Sequence, residues 1–336
     1  MNTSISKNGS IEFLRFLFIS VIVVWHFNNI VPIFKCGDFA VDFFFILAGA
    51  MLFRSFLVHP GQDALQFTGK RVHRIFFEWM ITLVPVFIIR SREFIFTHTC
   101  LSFENLAKLF LRFFHELLFL GQNGIYHGTT NYASWFISVL IVGGGIIYSV
   151  IYFFKDKATF LCFPVFCLLS FTFYYSLPES DLWSVKGCID LQFLRGCSEM
   201  ALGASIYHIA EKYQNVLQKY PFFFNFLGCF SFIIMLILLF LPRSFSPYSP
   251  LFSSLIVLSC LIDTSMFQRL FSHKIWLILG GLSFEMLLVH GIVKPIVSFA
   301  GIKLMPASVS VPLYLVLVIV SAFGLKKLNQ WVMNRV

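Results

Sequence analysis

Long apolar runs, each broken by a short polar segment, recur from one end of this 336-residue chain to the other. They leave it few ways to fold. A helical bilayer crossing takes about 20 mostly apolar residues, and a helix satisfies its own backbone hydrogen bonds where no water can. Ten such spans are predicted, at 12–31, 39–58, 74–90, 133–154, 159–177, 190–209, 222–241, 249–263, 275–299 and 309–329. Charged residues make up 12% of the chain, roughly half the share in a water-soluble domain, and mean hydropathy is +0.83. The expected fold class is an all-α integral membrane protein, a bundle of about ten transmembrane helices. The expected organisation is a single domain over 1–336 with no fused soluble domain.

The longest connection, 91–132, is expected to be an interfacial loop. Within it, Lys108, Arg112, His115 and Glu116 fall on one face of the segment 105–120, the pattern of an amphipathic helix lying in the membrane surface. The N-terminal ten residues are polar and lead into a full-length span, so the first span is expected to be retained rather than cleaved. If the N-terminus is cytoplasmic, 15 of the 25 Lys and Arg fall on the cytoplasmic side. That distribution predicts both termini inside. The net charge of +9 is scattered over helix ends, which fits topology control and anionic headgroups rather than nucleic acid. The eight cysteines form no CxxC pair, and a disulfide among Cys36, Cys100 and Cys188 stays open. There is no Walker loop, HExxH or GxSxG, so no metal is expected.

An ionisable side chain inside a span costs about 2.5–3.5 kcal/mol or more, and it normally faces a partner or a watery cavity. Arg15 and His26 stand eleven residues apart in the first span. That is close to three whole turns, so they share a face about 16 Å apart along the axis. Glu12, one turn before Arg15, can pair with it. Either this face lines a working site, or it holds a snorkelling arginine and an interfacial histidine. Lys70, Arg71, His73 and Arg74 gather before the third span. A helix start with guanidinium groups suits phosphate, and it equally suits an ordinary positive-inside anchor. Asp42, Trp135, Ser138, Glu285 and His290, with the Arg195/Glu199 pair, are further polar or aromatic candidates. Each has a substrate reading and a structural hydrogen-bonding one. Gly143, Gly144 and Gly145 predict close helix approach.

Together these segments resemble the acyltransferase family three membrane proteins, bacterial enzymes that O-acylate surface polysaccharides and related acceptors. Arg15 and His26 reproduce the family's Arg-x10-His signature, and Arg71 and Arg74 its Arg-x-x-Arg pair. DFAVDFFFILAGAML, ASWFISVLIVGG, LRGCSEMALGASIY and GGLSFEMLLVHG are similar, in order, to four further family segments. Two positions depart: Ala48-Gly49 replaces Ser-Gly, and Glu285 stands where the family usually has Tyr.

The resemblance implies a multi-pass protein of the bacterial cytoplasmic membrane. It implies acetyl-CoA, or another acyl-CoA, as donor and a glycan hydroxyl as acceptor. His26 and Arg15 would be catalytic, and Arg71, Arg74 and Arg15 would bind the donor. His26 would act as general base or carry the acyl group transiently. His290, Glu285, Glu12, Asp42, Trp135 and Ser138 would bind substrate or support the site. A glycan flippase or transporter, or a polysaccharide polymerase, is the competing reading.

Overall fold

The computed structural model describes residues 8–27, 31–97, 103–121, 131, 133–187, 189–262 and 273–335. It is almost entirely helical. The elements are α1 (Gly9–His26), α2 (Ala40–Val58) after a 3-10 turn at Gly37–Phe39, α3 (Ala64–Thr97) and α4 (Phe103–Leu117). α5 (Ser134–Phe154) and α6 (Ala158–Ser176) follow. Next come α7 (Leu191–Lys212), α8 (Pro221–Leu238) and α9 (Ser249–Leu261). The last are α10 (Lys274–Gly280), α11 (Ser283–Phe299) and α12 (Ala307–Met333). A two-residue antiparallel ladder, Val185–Lys186 with Ile189–Asp190, closes the turn before α7.

Among the described residues, eight helices are long and apolar enough to cross a membrane. The pair α10 and α11, bent by 52°, makes a ninth if counted as one span. The chain is therefore an all-α membrane protein. α7 occupies the expected sixth span, but Arg195, Glu199, Glu211 and Lys212 make it more polar than the others. Its Arg195 and Glu199 are buried among neighbouring helices.

Two boundaries differ from expectation. α3 begins at Ala64 rather than 74 and continues to Thr97, because an apolar run marks the part of a helix that lipid covers and not where the helix ends. The segment 91–97, expected to be loop, is therefore helix. α4 matches the expected amphipathic segment, but apolar groups lie on both of its sides, since Leu109, Phe113 and Leu117 pack inward. Phe110, Leu111, Phe114 and Leu118 are exposed while Glu116 is buried, and the Trp79 indole N–H donates to the Glu116 carbonyl at 3.2 Å. Outward apolar groups suit lipid as the solvent.

Small residues set the tightest packing. A Cβ on Gly49 of α2 would lie 1.9 Å from the Met200 carbonyl oxygen of α7, and one on Gly203 would lie 1.9 Å from that of Ile46. The two backbones touch, as small residues allow between membrane helices. The glycine triplet in α5 does the same work. Gly143 faces Cys197, Gly144 faces the Arg71 guanidinium and Gly145 faces Thr68. A wide π-helical turn at Val139–Gly143 displaces the backbone there, a distortion found at functional sites. At the start of α1, the Asn8 side chain accepts from the Ser10 amide at 3.0 Å and donates to the Cys260 carbonyl at 2.9 Å. One residue thus caps α1 and ties it to α9. Cys36 is a free thiol, and Cys100 and Cys188 lie outside the described residues.

Candidate functional site

A cavity of about 950 Å³ runs between α1, α2, α3, α5 and α11. Along α2 it is lined from Asp38 to His59. At 1.5 Å per residue that is about 30 Å, the thickness of a bilayer's hydrocarbon core. α1 contributes Glu12 and Arg15 near one end, and Trp25 and His26 near the other. The spacing predicted a shared face for Arg15 and His26, and the structure puts both on this one surface.

The Arg15 end is strongly cationic. Arg54, Arg71, Arg74 and Lys326 line it along with Arg15. Arg15 Nη1 donates to Glu12 Oε1 at 2.9 Å and to Oε2 at 3.0 Å, so its charge is already balanced. The Arg71 guanidinium lies over Gly144 and stands 6.0 Å from the centre of the Phe67 ring. The glycine leaves space for the guanidinium, and the ring supplies a cation–π contact. Carboxylates enter on the same side. Asn329 Nδ2 donates to Glu78 Oε1 at 2.5 Å, and Lys326 Nζ lies 3.3 Å from Glu285 Oε1.

The His26 end is aromatic. Trp25, Trp135 and Trp183 line it with Asp38. Trp135 and Trp183 meet edge to face at 5.7 Å. Gly37 lets the chain cross Trp25, since a Cβ there would lie 2.3 Å from the Trp25 Cβ. His26 Nδ1 lies 2.9 Å from the Ile22 carbonyl oxygen. A carbonyl only accepts, so in the neutral ring the proton sits on Nδ1 and Nε2 keeps a lone pair. His290 stands behind His26, fully buried, with its Nδ1 2.6 Å from the Leu287 carbonyl. The two rings are 4.8 Å apart.

The remaining candidates separate here. Glu12, Trp135 and Glu285 line the cavity. Ser138 does not, and its hydroxyl donates to the Phe119 carbonyl at 2.5 Å. Asp42 also turns away, into a buried ion network. Arg195 bonds Asp42 through Nη2 and Glu199 through Nε at 3.0 Å. Its Nη1 lies 3.9 Å from Asp38 Oδ2, and Arg243 Nη2 lies 2.9 Å from Asp38 Oδ1. Asp38 is thus shared between this network and the cavity wall. Arg54, Glu78, Lys326, Asn329, Trp25, Trp183 and Asp38 were not singled out from sequence. Arg54, Glu78 and Lys326 gave a signal, as ionisable residues inside predicted spans. Among the described residues, no group of three or more His, Cys, Asp or Glu is placed to hold a metal ion.

Comparison of the chain with models of known protein families, with curated proteins and with solved structures gives no match. The functional reading therefore stands on the motifs and on this cavity.

Proposed function

We propose that the protein is a membrane O-acyltransferase. It moves an acyl group, in the simplest case acetyl, from cytoplasmic acyl-CoA to a hydroxyl of a cell-surface or lipid-linked glycan. The observation that carries this reading is the single cavity, with four guanidinium groups at one end and His26 at the other. Guanidinium groups bind phosphate by paired, charge-assisted hydrogen bonds, so the nucleotide of the donor belongs at Arg15, Arg54, Arg71 and Arg74. Arg15 is about 16 Å along α1 from His26. It therefore serves binding of the donor rather than the bond changes at His26.

The acyl arm extends along α1 until the thioester reaches His26. The acceptor oxygen forms the new C–O bond and the C–S bond breaks. His26 Nε2 takes the hydroxyl proton and passes it to the departing sulfur, releasing CoA as the thiol. A histidine suits both transfers because one ring nitrogen can take a proton and give it back. Trp25, Trp135, Trp183 and Asp38 offer flat apolar faces beside a carboxylate, a surface suited to a sugar ring and its hydroxyls.

The topology belongs to the same proposal. The chain makes ten crossings, counting α7 and the bent α10–α11 pair, in a bacterial cytoplasmic membrane. Both termini are cytoplasmic, and α4 lies in the interface. Lys and Arg placement supports this orientation, and it puts the Arg15 end of the cavity on the side that holds acyl-CoA.

The test is incubation of the purified protein with labelled acetyl-CoA and cell-envelope glycan. Wild type should transfer label and His26→Ala should not, while inserting normally. Full transfer by the variant sinks the mechanism. A flippase would use the same cavity as a path, since it spans about the thickness of the hydrocarbon core. That reading gains if glycan crosses reconstituted vesicles without acetyl-CoA.

A further inference from the structure

On the His26-facing edge of the cationic end stands a carboxylate with one oxygen unused. Glu285, in the first turn of α11, is 5% exposed and lines the cavity. Its Oε1 is held by Lys326, and Lys326 is itself fixed by a bond from Nζ to the Gly281 carbonyl. Its Oε2 is buried and accepts no hydrogen bond from the protein. A carboxylate oxygen withdrawn from water needs a donor.

The height of this oxygen in the cavity is set by two contacts between the same neighbouring segments. At one level Gly280 lies against α1, where a Cβ would come 2.1 Å from the Glu12 carbonyl oxygen. At the other, His290 meets His26. Glu285 is five residues before His290 on α11, about 7–8 Å lower along the axis. A ligand with phosphates among the arginines and its reacting carbon at His26 must pass it.

We infer that Glu285 accepts a hydrogen bond from an amide N–H of the donor's pantetheine arm and thereby positions the thioester at His26. The inference rests on the acyl-CoA reading above. The arm carries two secondary amides and a hydroxyl, all donors, in the stretch between phosphate and sulfur. Lys326 Nζ lies 3.3 Å from Oε1 and leaves Oε2 to the ligand. Glu285 replaces the tyrosine usual in the family that the sequence resembles, so this contact would belong to this chain's own donor selection. Glu285 is a positioning residue, since the reacting atoms lie at His26.

The experiment compares two ligands on the full-length, detergent-solubilised protein. One is acetyl-CoA. The other is adenosine 3′,5′-bisphosphate, which keeps adenine and two of the three phosphates and lacks the arm. Glu285→Leu should weaken acetyl-CoA binding by about tenfold, the size of one charge-assisted hydrogen bond, and leave bisphosphate affinity unchanged. Glu285→Gln, which retains a carbonyl acceptor, should recover part of the loss. The unchanged bisphosphate affinity also reports that the variant is folded. Equal weakening of both ligands, or no weakening of either in both variants, overturns the role of Glu285 while leaving the acyl-CoA reading standing. Failure of wild type to bind acetyl-CoA removes that reading, and the inference with it.

Discussion

His26 of α1 and His290 of α11 face each other with ring centroids 4.8 Å apart and planes inclined by 42°. Each ring has its Nδ1 beside a carbonyl of its own helix, Ile22 for one and Leu287 for the other. Both imidazoles are therefore oriented by backbone, and His290 limits where His26 can move. Loss of a general base removes roughly 10²–10⁴ in rate, so His26→Ala should lower kcat by at least about a hundredfold. His290→Ala should cost less, on the order of tenfold, through misplacement of the ring it supports. Steady-state transfer assays on both variants check this; a larger loss from His290 would exchange the two roles.

Arg54 entered the site only when the chain folded. In sequence it looks like an anchor at the end of the second span, yet it lines the cavity with Arg71 and Arg74. If all three meet phosphate, Arg54→Ala should weaken acyl-CoA binding about as much as Arg71→Ala, roughly tenfold each. Added salt should narrow the difference from wild type. Calorimetric titration at two ionic strengths reads both effects, and unchanged affinity in Arg54→Ala places the phosphates elsewhere.

Most of the spans and the common face of Arg15 and His26 were legible because both follow from local periodicity. Hydrocarbon thickness fixes the length of an apolar run, and 3.6 residues per turn fixes which residues share a face. What could not be read depends on which helices meet. Asp42 looks like a cavity residue at the head of the second span, but Arg195 of α7 draws it into the buried network. Ser138 looks available, but its hydroxyl goes to Phe119, nineteen residues earlier in the chain. Lys326 lies near the end of the chain and reaches Glu285 only because α12 packs beside α11. α7 was placed as an apolar span although its polar interior is what joins it to α2.

Arg195 makes a separate prediction about stability. It is 5% exposed and bonds Asp42 and Glu199, with Asp38 close by. Removing one partner from a buried ion cluster leaves uncompensated charge and costs about 3–5 kcal/mol. Arg195→Met should therefore lower the folded yield and the unfolding midpoint in detergent sharply. Asp42→Asn should do so less, because Arg195 keeps Glu199. Thermal unfolding of the two variants side by side is the check, and a loss in Asp42→Asn as large as in Arg195→Met would show that Arg195 is held chiefly by Asp42.

The orientation proposed for the cavity can be read without any substrate. Glu211 is exposed at the end of α7, beside Lys212. A reporter fused there should read cytoplasmic. An external reading would put the arginine end of the cavity outside, away from acyl-CoA, and would end the donor assignment.

Gly49 tests whether the cavity needs the close approach of α2 and α7. Its missing Cβ would sit 1.9 Å from the Met200 carbonyl, and Gly203 has the reciprocal relation with Ile46. Backbone atoms cannot swing aside as a side chain can, so even Gly49→Ala must push one helix from the other. Overpacking of this kind costs about 1–3 kcal/mol, and no rotamer change relieves it. Because α2 carries cavity wall from Val41 to Val58, the displacement should lower acyl transfer in whatever fraction still folds. Gly324→Ala on α12 is the control, since no atom lies within 4 Å of its Cβ position and alanine favours the helix by roughly 1 kcal/mol. The pair should move in opposite directions in a thermal unfolding assay. If Gly49→Ala is as stable and as active as wild type, the contact between the two backbones is not what holds the cavity in shape.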